Sequence, residues 1–148
     1  MKVFIAGGGT GGHIYPALSV AQALKRLDSR IEIVFVGTVY GMEKKIIPQS
    51  GYRIEFIKSG KLNMSGRWFE KIKTVFKITF GFFQSCYFIL KEKPDFVLGV
   101  GGYASAPFVL AASVLGKQAA IWEPNAHPGM ANRILSRFVN RSYLVFEE

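Results

Sequence analysis

Gly7-Gly8-Gly9-Thr10-Gly11-Gly12-His13 links a short apolar run at residues 3–6 to a helical pattern that begins near Tyr15. Five glycines in six residues remove nearly every Cβ, so the backbone can take positive φ angles and lie close against a ligand. A glycine-rich turn between a strand and a helix also directs free N–H groups, and the positive end of the helix, at one place. The stretch therefore predicts an anion site, most often one for phosphate. A tight turn that binds no ligand is the alternative.

The composition of the 148 residues is that of one globular domain, with 49% hydrophobic and 20% charged residues. A net charge of +9 implies an acidic partner, such as nucleic acid, an anionic membrane or a phosphorylated substrate. The lone Cys86 excludes an internal disulfide and fits a reducing compartment. The longest weakly charged run, 78–90, is too short to span a bilayer as a helix.

Short β-branched or aromatic runs alternate with longer helical patterns along the chain. Strands are expected at 2–6, 31–36, 53–57, 95–100, 119–123 and 142–146, and helices at 15–27, 42–49, 68–91, 105–115 and 129–139. Such alternation, with nearly continuous apolar strands, is typical of a parallel sheet that is covered on both faces. Right-handed crossovers then favour an α/β fold with a Rossmann-like, doubly wound parallel sheet of about six strands.

Three loops follow the first, fourth and fifth predicted strands: loop 1 at 7–13, loop 2 at 99–107 and loop 3 at 123–129. Loops 1 and 2 are rich in glycine. In the common doubly wound order the first and fourth strands are neighbours, and ligands bind in the crevice at their carboxyl ends. We therefore expect the three loops to converge on one crevice.

Loop 1 also matches the Gly-x-Gly-x-x-Gly pattern of dinucleotide-binding domains, at Gly7, Gly9 and Gly12. That pattern requires an acid at the end of the second strand, where this chain has Gly37 and Thr38. A Walker A loop requires Gly-Lys-Ser/Thr, which loop 1 does not contain. Neither an NAD site nor P-loop chemistry is therefore favoured.

The helix predicted at 68–91 carries two apolar lines, where a surface helix normally carries one. The line expected to face the core consists of Ile72, Phe76, Phe80, Phe83, Tyr87 and Leu90. The second line consists of Trp68, Val75, Ile78, Phe82, Cys86 and Ile89. One interpretation is a helix buried on both sides, and the other is an interfacial helix that inserts Trp68 and Phe82 into a bilayer beside its lysines. Nucleic acid ranks low, because the aromatic residues do not alternate with lysines along a groove.

Two histidines and one acid are the candidates for acid–base chemistry. His13, at the edge of loop 1, suits a general base that deprotonates a hydroxyl beside a bound anion; a histidine that only hydrogen-bonds a neighbouring loop is the alternative. Glu123 could orient that base or bind a sugar hydroxyl, and His127 is interpreted as structural. No cluster has metal-ligand spacing, so a reaction without metal or cofactor is expected.

Three motifs resemble those of the bacterial peptidoglycan N-acetylglucosaminyltransferases, and the similarity covers the whole chain. The first is Gly8-Gly9-Thr10-Gly11-Gly12-His13-Ile14-Tyr15-Pro16-Ala17-Leu18. The second, at 93–107, includes Gly99-Val100-Gly101-Gly102-Tyr103-Ala104-Ser105-Ala106-Pro107. The third consists of Glu123, Asn125, Gly129, Asn132 and Arg133. The chain departs from the family at Trp122-Glu123-Pro124-Asn125, where His-Glu-Gln-Asn is usual.

The resemblance implies a two-domain GT-B glycosyltransferase, of which residues 1–148 form the N-terminal, acceptor-side domain and the C-terminal, donor-binding domain is absent. It implies transfer of N-acetylglucosamine from UDP-N-acetylglucosamine to lipid I, with inversion, to make lipid II in peptidoglycan synthesis. It also implies peripheral attachment to the cytoplasmic face of the plasma (inner) membrane, an anionic surface. The chain alone is expected to be inactive. The alternatives are a membrane-recruiting subunit of a split glycosyltransferase and a non-catalytic module that binds nucleotide or anionic lipid.

Three groups of site residues are expected. Motif position in this family implies that His13 is the base, which Glu123 would steer as its catalytic partner, and that the donor contacts are Thr10, Gly11, Gly12 and Asn125. The diphosphate of the acceptor is expected on Gly8, Gly9, Gly101, Gly102, Tyr103 and Ser105. A fourth group, the membrane contacts expected from the basic aromatic helix, consists of Trp68, Ile72, Val75, Phe82, Lys73 and Lys77.

Overall fold

The computed structural model describes residues 1–60 and 68–146. Its strands are β1 (Lys2–Ala6), β2 (Glu32–Gly37), β3 (Arg53–Phe56), β4 (Phe96–Gly99), β5 (Gln118–Glu123) and β6 (Arg141–Leu144). Its helices are α1 (Gly11–Leu27), α2 (Glu43–Gln49), α3 (Trp68–Glu92), α4 (Ser105–Val114) and α5 (Met130–Leu135). Each predicted strand and helix is present.

The strands form one parallel sheet in the order β3-β2-β1-β4-β5-β6. The predicted Rossmann-like, doubly wound fold is therefore confirmed. β1 lies between β2 and β4, and its last residue, Ala6, is in register with Val36 and Gly99. This register places loop 1 directly beside loop 2 at the carboxyl edge of the sheet.

Side chains of the central strands alternate between two apolar cores. In β1, Phe4 belongs to a core covered by α3, α4 and α5, whereas Ile5 belongs to a core covered by α1 and α2. Because both faces of the sheet are covered, the central strands are apolar at nearly every position.

α1 begins inside loop 1, at Gly11, and not near Tyr15. Thr10 precedes it in an extended conformation, and the Thr10 carbonyl oxygen accepts the N–H groups of His13 (3.2 Å) and Ile14 (3.3 Å). Glycine is a poor helix former, so the apolar periodicity indicates the helix only after its first turn. His13 therefore lies in the first turn of α1, at the positive end of the helix.

Over its C-terminal half, α3 faces the core with the second apolar line instead of the expected one, whereas Val75 of that second line is 61% exposed. Ile89 is fully buried, and Phe82 and Cys86 pack against the core shared with α4. The line expected in the core is 40–72% exposed and consists of Ile72, Phe76, Phe80, Phe83, Tyr87 and Leu90. The assignment of the two lines is therefore wrong, and so is the outward, membrane-facing orientation predicted for Phe82.

Small residues decide which face of α3 packs inward. A Cβ on Gly81 would overlap the Lys58 carbonyl oxygen and would lie 3.8 Å from the Cβ of Pro107 in α4. Ser85, one turn further along, is also buried, and its hydroxyl donates to the Gly81 carbonyl oxygen at 2.6 Å. Both apolar lines have helical spacing, so periodicity alone does not distinguish them. The small residues mark the face that allows close approach of α4.

The outward face of α3 keeps part of the predicted membrane surface. Ile72, Val75 and Lys77 are exposed, whereas the side chains of Trp68 and Lys73 lie outside the described part of the chain. Among the described residues, no helix combines the length and the apolar character needed to cross a membrane.

Candidate functional site

A cleft of about 600 Å³ lies at the carboxyl ends of the central strands. His13 lines it from α1, Gly101 and Tyr103 from loop 2, and Glu123 and Asn125 from loop 3. The expected convergence of the three loops is therefore present, at the point where β1 and β4 are neighbours.

Loops 1 and 2 touch through their backbones. The Gly8 N–H donates to the Gly101 carbonyl oxygen at 3.2 Å, and a Cβ on Gly7 would lie 2.5 Å from that same oxygen. Gly102 has a φ of 81°, and a Cβ there would overlap the Gly8 backbone. Several glycines of the two loops are therefore required by the contact between the loops rather than by a ligand.

The His13 ring packs against Gly101. A Cβ on Gly101 would lie 2.7 Å from both Cε1 and Nδ1 of His13, so the ring fits only beside glycine. The side chain is half-buried and lines the cleft, and its Nδ1 is buried with no hydrogen-bond partner among the described residues. Packing, and not a hydrogen bond within the described chain, holds the ring in place.

Glu123 is buried and accepts four hydrogen bonds. Its Oε1 accepts the backbone N–H (3.0 Å) and Nδ2 (2.8 Å) of Asn125, and its Oε2 accepts the Gly129 N–H (2.9 Å) and Nδ2 of Asn132 (3.0 Å). Burial raises the pKa of the Glu123 carboxyl, but these hydrogen bonds outweigh burial and hold the pKa below its usual value. Glu123 therefore fixes loop 3 as a carboxylate. No hydrogen bond joins it to His13 within the described residues, so its steering of His13 stays a prediction.

A family model described as the glycosyltransferase family 28 N-terminal domain matches residues 3–144. The chain belongs to this family.

Three similar proteins are longer than this family 28 chain. The UDP-N-acetylglucosamine--N-acetylmuramyl-(pentapeptide) pyrophosphoryl-undecaprenol N-acetylglucosamine transferase of Bdellovibrio bacteriovorus is 56% identical over 99% of this chain and 41% of its own length. The crystal structure of MurG from Acinetobacter baumannii is 32% identical, with a TM-score of 0.83 over 99% of this chain and 42% of that one. The glycosyltransferase SnogD from Streptomyces nogalater, at 17% identity, shares the fold, with a TM-score of 0.63 over 100% of this chain and 46% of that one.

The chain thus spans about two fifths of the length of the curated relatives it matches. The resemblance to the N-terminal domain of the bacterial peptidoglycan N-acetylglucosaminyltransferases, predicted from three motifs, is confirmed. The predicted likeness to the N-terminal half of a GT-B glycosyltransferase is confirmed as well.

Two glycines of the family 28 domain are not free to bind a diphosphate through their backbone N–H groups, as was expected of them. Gly8 donates to Gly101, and Gly9 donates to Oε2 of Glu43 at 2.7 Å. The prediction for these two N–H groups is therefore wrong. Gly11 and Gly12, in contrast, lie in the first turn of α1, where N–H groups have no acceptor within the helix. The available donors of loop 1 are therefore at the positive end of α1, which favours an anion.

Loop 2 divides its predicted residues between the cleft and the core. Gly101, Gly102 and Tyr103 line the cleft, and the Tyr103 carbonyl oxygen accepts the Ser59 hydroxyl at 2.5 Å. Ser105 is only 1% exposed and is not among the lining residues, because its side chain turns toward the sheet. A Cβ on Gly99 of β4 would lie 2.5 Å from the Ser105 hydroxyl oxygen. The Ser105 side chain therefore does not reach the cleft, whereas a contact of its backbone N–H with the diphosphate stays a prediction.

The predicted donor contacts lie on loops 1 and 3. Thr10 is exposed immediately before the first turn of α1, and exposed Asn125 lines the cleft. Asn125 follows Pro124, and both its backbone N–H and its side-chain amide are bonded to Glu123. The position of Asn125 is therefore set by a buried carboxylate.

Two polar residues that shape the site were missed as site residues. Asn132 of α5 is 5% exposed and donates to Glu123, and its only sequence signal is the third motif. Glu43, the first residue of α2, is 2% exposed and accepts hydrogen bonds from the backbones of Gly9 and Thr38. Its sequence signal is an acid at a helix start shortly after the second strand, where a negative charge is favoured.

The arrangement combines an imidazole with N–H donors at a helix N-terminus. It suits removal of a proton from a hydroxyl that is linked to a phosphate-bearing group. Among the described residues, no group of histidine, cysteine or acidic side chains could hold a metal ion.

Proposed function

We propose that this chain is the acceptor-side domain of a transferase that moves N-acetylglucosamine from UDP-N-acetylglucosamine to lipid I and so makes lipid II for peptidoglycan. The observation that carries the proposal is the cleft, in which His13 stands at the positive end of α1 beside loop 2. The 56% identity over 99% of the chain with a transferase named for these substrates supports the choice of substrates. The UDP-sugar is held largely by a donor-binding domain, so the 148 residues alone turn over no substrate.

In the proposed reaction, His13 takes the proton of the C4 hydroxyl of the muramoyl sugar. The hydroxyl oxygen bonds to C1 of N-acetylglucosamine from the face opposite UDP. The bond from C1 to the UDP oxygen breaks, and UDP leaves with the electron pair, which inverts C1. The N–H groups of Gly11 and Gly12 and the positive end of α1 stabilise the phosphate groups of UDP. Glu123 holds Asn125 toward the same UDP-sugar donor.

Replacement of His13 tests this mechanism. In the complete transferase, we expect His13→Gln to lower kcat about a hundredfold or more, because a general base contributes that much to such a reaction. His127→Gln is the matched control, since His127 is exposed on loop 3 and is not among the residues that line the cleft. It should keep its activity in the same lipid II assay. Full activity of His13→Gln, or equal losses in both variants, would contradict the proposed role.

The exposed face of α3 supports peripheral attachment to the cytoplasmic face of the inner membrane. Phe76 and Phe83 are 72% and 65% exposed on this face. The Lys58 ammonium lies 5.0 Å from the centre of the Phe80 ring, and Lys77 is exposed nearby on the helix. Aromatic rings beside lysines are the arrangement that inserts into a bilayer while the cations meet anionic headgroups.

Neighbouring phenylalanines of α3 give a matched pair for testing the membrane surface. In co-sedimentation with anionic vesicles, we expect Phe83→Ser to weaken binding about tenfold, because an exposed ring that enters the bilayer is lost. Phe82→Ser should lower thermal stability but keep the vesicle affinity, since Phe82 packs against the core. Added salt should weaken binding of the unmutated protein. Equal effects of the two variants on binding, or binding that ignores salt, would refute the surface.

A further inference from the structure

Glu43 is a buried carboxylate that the proposed chemistry does not use. A carboxylate that is 2% exposed must be compensated by a cation or by hydrogen bonds. Three neutral donors surround it: the Gly9 N–H at 2.7 Å from Oε2, and the N–H (2.9 Å) and hydroxyl (3.0 Å) of Thr38 at Oε1. One oxygen is therefore bonded to loop 1 and the other to the end of β2.

Three glycines make room for the Glu43 side chain. A Cβ on Gly8 would lie 2.6 Å and 2.7 Å from the two carboxylate oxygens, and one on Gly37 would lie 2.5 Å from Cγ. A Cβ on Gly41 would overlap the carboxyl group as well. These glycines belong to loop 1, the end of β2 and the turn before α2, so the carboxyl group is enclosed from three directions. Glu43 also begins α2, whose positive end favours a negative charge.

Among the described residues, the bond of Gly9 is the last hydrogen bond that ties loop 1 to the rest of the domain before α1 begins. Gly7 donates to the Val36 carbonyl oxygen at 2.9 Å and Gly8 donates to Gly101. Beyond Gly9, the next backbone contact of the described loop is made by Thr10 and lies within the first turn of α1. The Glu43 carboxylate therefore acts on the point from which α1 departs.

We propose that Glu43 is a positioning residue, whose Oε2 fixes the Gly9 N–H and thereby sets where the first turn of α1 presents His13 and its N–H groups to the cleft. The inference rests on the proposed function for the role given to His13. An acid after the second strand of a dinucleotide-binding domain binds the ribose of the ligand. Here the acid turns inward and binds the glycine loop itself.

Glu43→Gln in the complete transferase tests the inference through kinetics. Glutamine keeps the shape but offers one acceptor oxygen, so its NH₂ group must face a donor of Gly9 or Thr38. We expect kcat, measured at saturating substrate and well below the melting temperature, to fall at least tenfold, because a displaced first turn of α1 no longer aligns His13 with the acceptor hydroxyl. Glu92→Gln is the matched control, because Glu92 is also bonded on both oxygens but lies at the opposite edge of the sheet. It should lose stability and keep kcat within twofold.

The Gly9 amide proton gives a second readout that does not depend on activity. In the NMR spectrum of the complete transferase, we expect this proton downfield, because its N–H donates to a carboxylate. Glu43→Gln should shift it upfield and leave the Gly129 amide in place. If Glu43→Gln fails to fold, the chemical shift of the Gly9 amide proton in the unmutated protein still tests whether Glu43 accepts this N–H.

Two results would overturn the inference. One is a kcat loss in Glu43→Gln no larger than that in Glu92→Gln, and the other is a Gly9 amide proton with an ordinary chemical shift in the unmutated protein. A complete, unmutated transferase that makes no lipid II would instead refute the proposed function, while the Gly9 readout would still test the contact.

Discussion

The two edges of the sheet stabilise their glutamates in opposite ways. At the carboxyl edge, Glu43 and Glu123 are each 2% exposed and accept hydrogen bonds from backbone N–H groups and neutral side chains. At the amino edge, Glu92 at the end of α3 is bonded to two cations, the Lys2 ammonium at 2.8 Å and the Arg53 guanidinium at 2.9 Å.

The difference reflects what each edge holds in place. The neutral donors at the carboxyl edge belong mostly to the loops and helix starts that border the cleft, so each carboxylate shapes a loop of the site. The cations at the amino edge join α3 to the first residues of β1 and β3. Partly exposed ion pairs are weakened by salt, whereas removing a buried acceptor leaves its donors unpaired. The same Glu→Gln change should therefore have different consequences at the two edges.

The largest effect on stability is expected at Glu123. Glutamine can accept two of the four hydrogen bonds, and its NH₂ group then faces the other two N–H donors, which should lower the free energy of unfolding by about 2–3 kcal/mol. Urea unfolding at neutral pH measures this loss, and salt should leave it unchanged. Glu32→Gln is the control, because the Glu32 side chain is 52% exposed and its ion pair with Lys2 contributes little. If Glu123→Gln loses no more free energy of unfolding than Glu32→Gln, the buried carboxylate at the carboxyl edge stabilises the fold no more than an exposed one.

A smaller effect is expected at Glu92, with its own dependence on pH and salt. At neutral pH, Glu92→Gln should lower the free energy of unfolding by about 1–2 kcal/mol, since its cations are partly exposed. The hydrogen bonds and charges of Arg53 and Lys2 lower the pKa of Glu92 from 4.5 to about 2. A carboxyl group whose pKa is lower in the folded than in the unfolded state stabilises the fold at pH values above its unfolded-state pKa. This contribution is lost as the pH falls toward its folded-state pKa.

The difference between Glu92→Gln and the unmutated protein should therefore be full above pH 4.5 and should shrink between pH 4.5 and about 2. Molar salt should also reduce it, unlike the loss at Glu123. Urea unfolding at neutral and acidic pH, with and without salt, checks both expectations. A difference that is constant in pH and salt would mean that Glu92 contributes through packing and not through charge.

The fold was predictable because its signals are local. Apolar strands bounded by glycine, and helices with regular spacing, indicate a doubly wound sheet, and the loops that follow the first and fourth strands must then meet. The side of α3 that faces inward was not predictable from residue spacing, because both apolar lines have helical spacing. Gly81 and Ser85 would have decided it, since close packing against α4 requires small residues there.

Within the site, sequence patterns located the loops but not the use of their N–H groups. Gly8 and Gly9 carry the family motif, yet their N–H groups are bonded inside the domain. The partner of Gly9 is Glu43, 34 residues along the chain. Because the donor is a backbone N–H, the contact requires no particular residue type at the donor and gives no sequence signal there. A glycine motif therefore predicts where the backbone is crowded more reliably than which donors face a ligand.

The smallest effect is expected at Ser105, which lies at the same edge as Glu43 and Glu123 but fixes no loop. Its hydroxyl oxygen is buried with no hydrogen-bond partner among the described residues. Ser105→Ala removes this unpaired group, so the free energy of unfolding should change by less than about 0.5 kcal/mol or should rise, because no hydrogen bond is lost. Lipid II formation by the complete transferase should be unaffected, since the side chain turns away from the cleft. A tenfold loss of activity at unchanged stability would mean that α4 rotates to bring this hydroxyl to the substrate. The substrate would then contact a side chain at the carboxyl edge that neither Glu43 nor Glu123 holds in place.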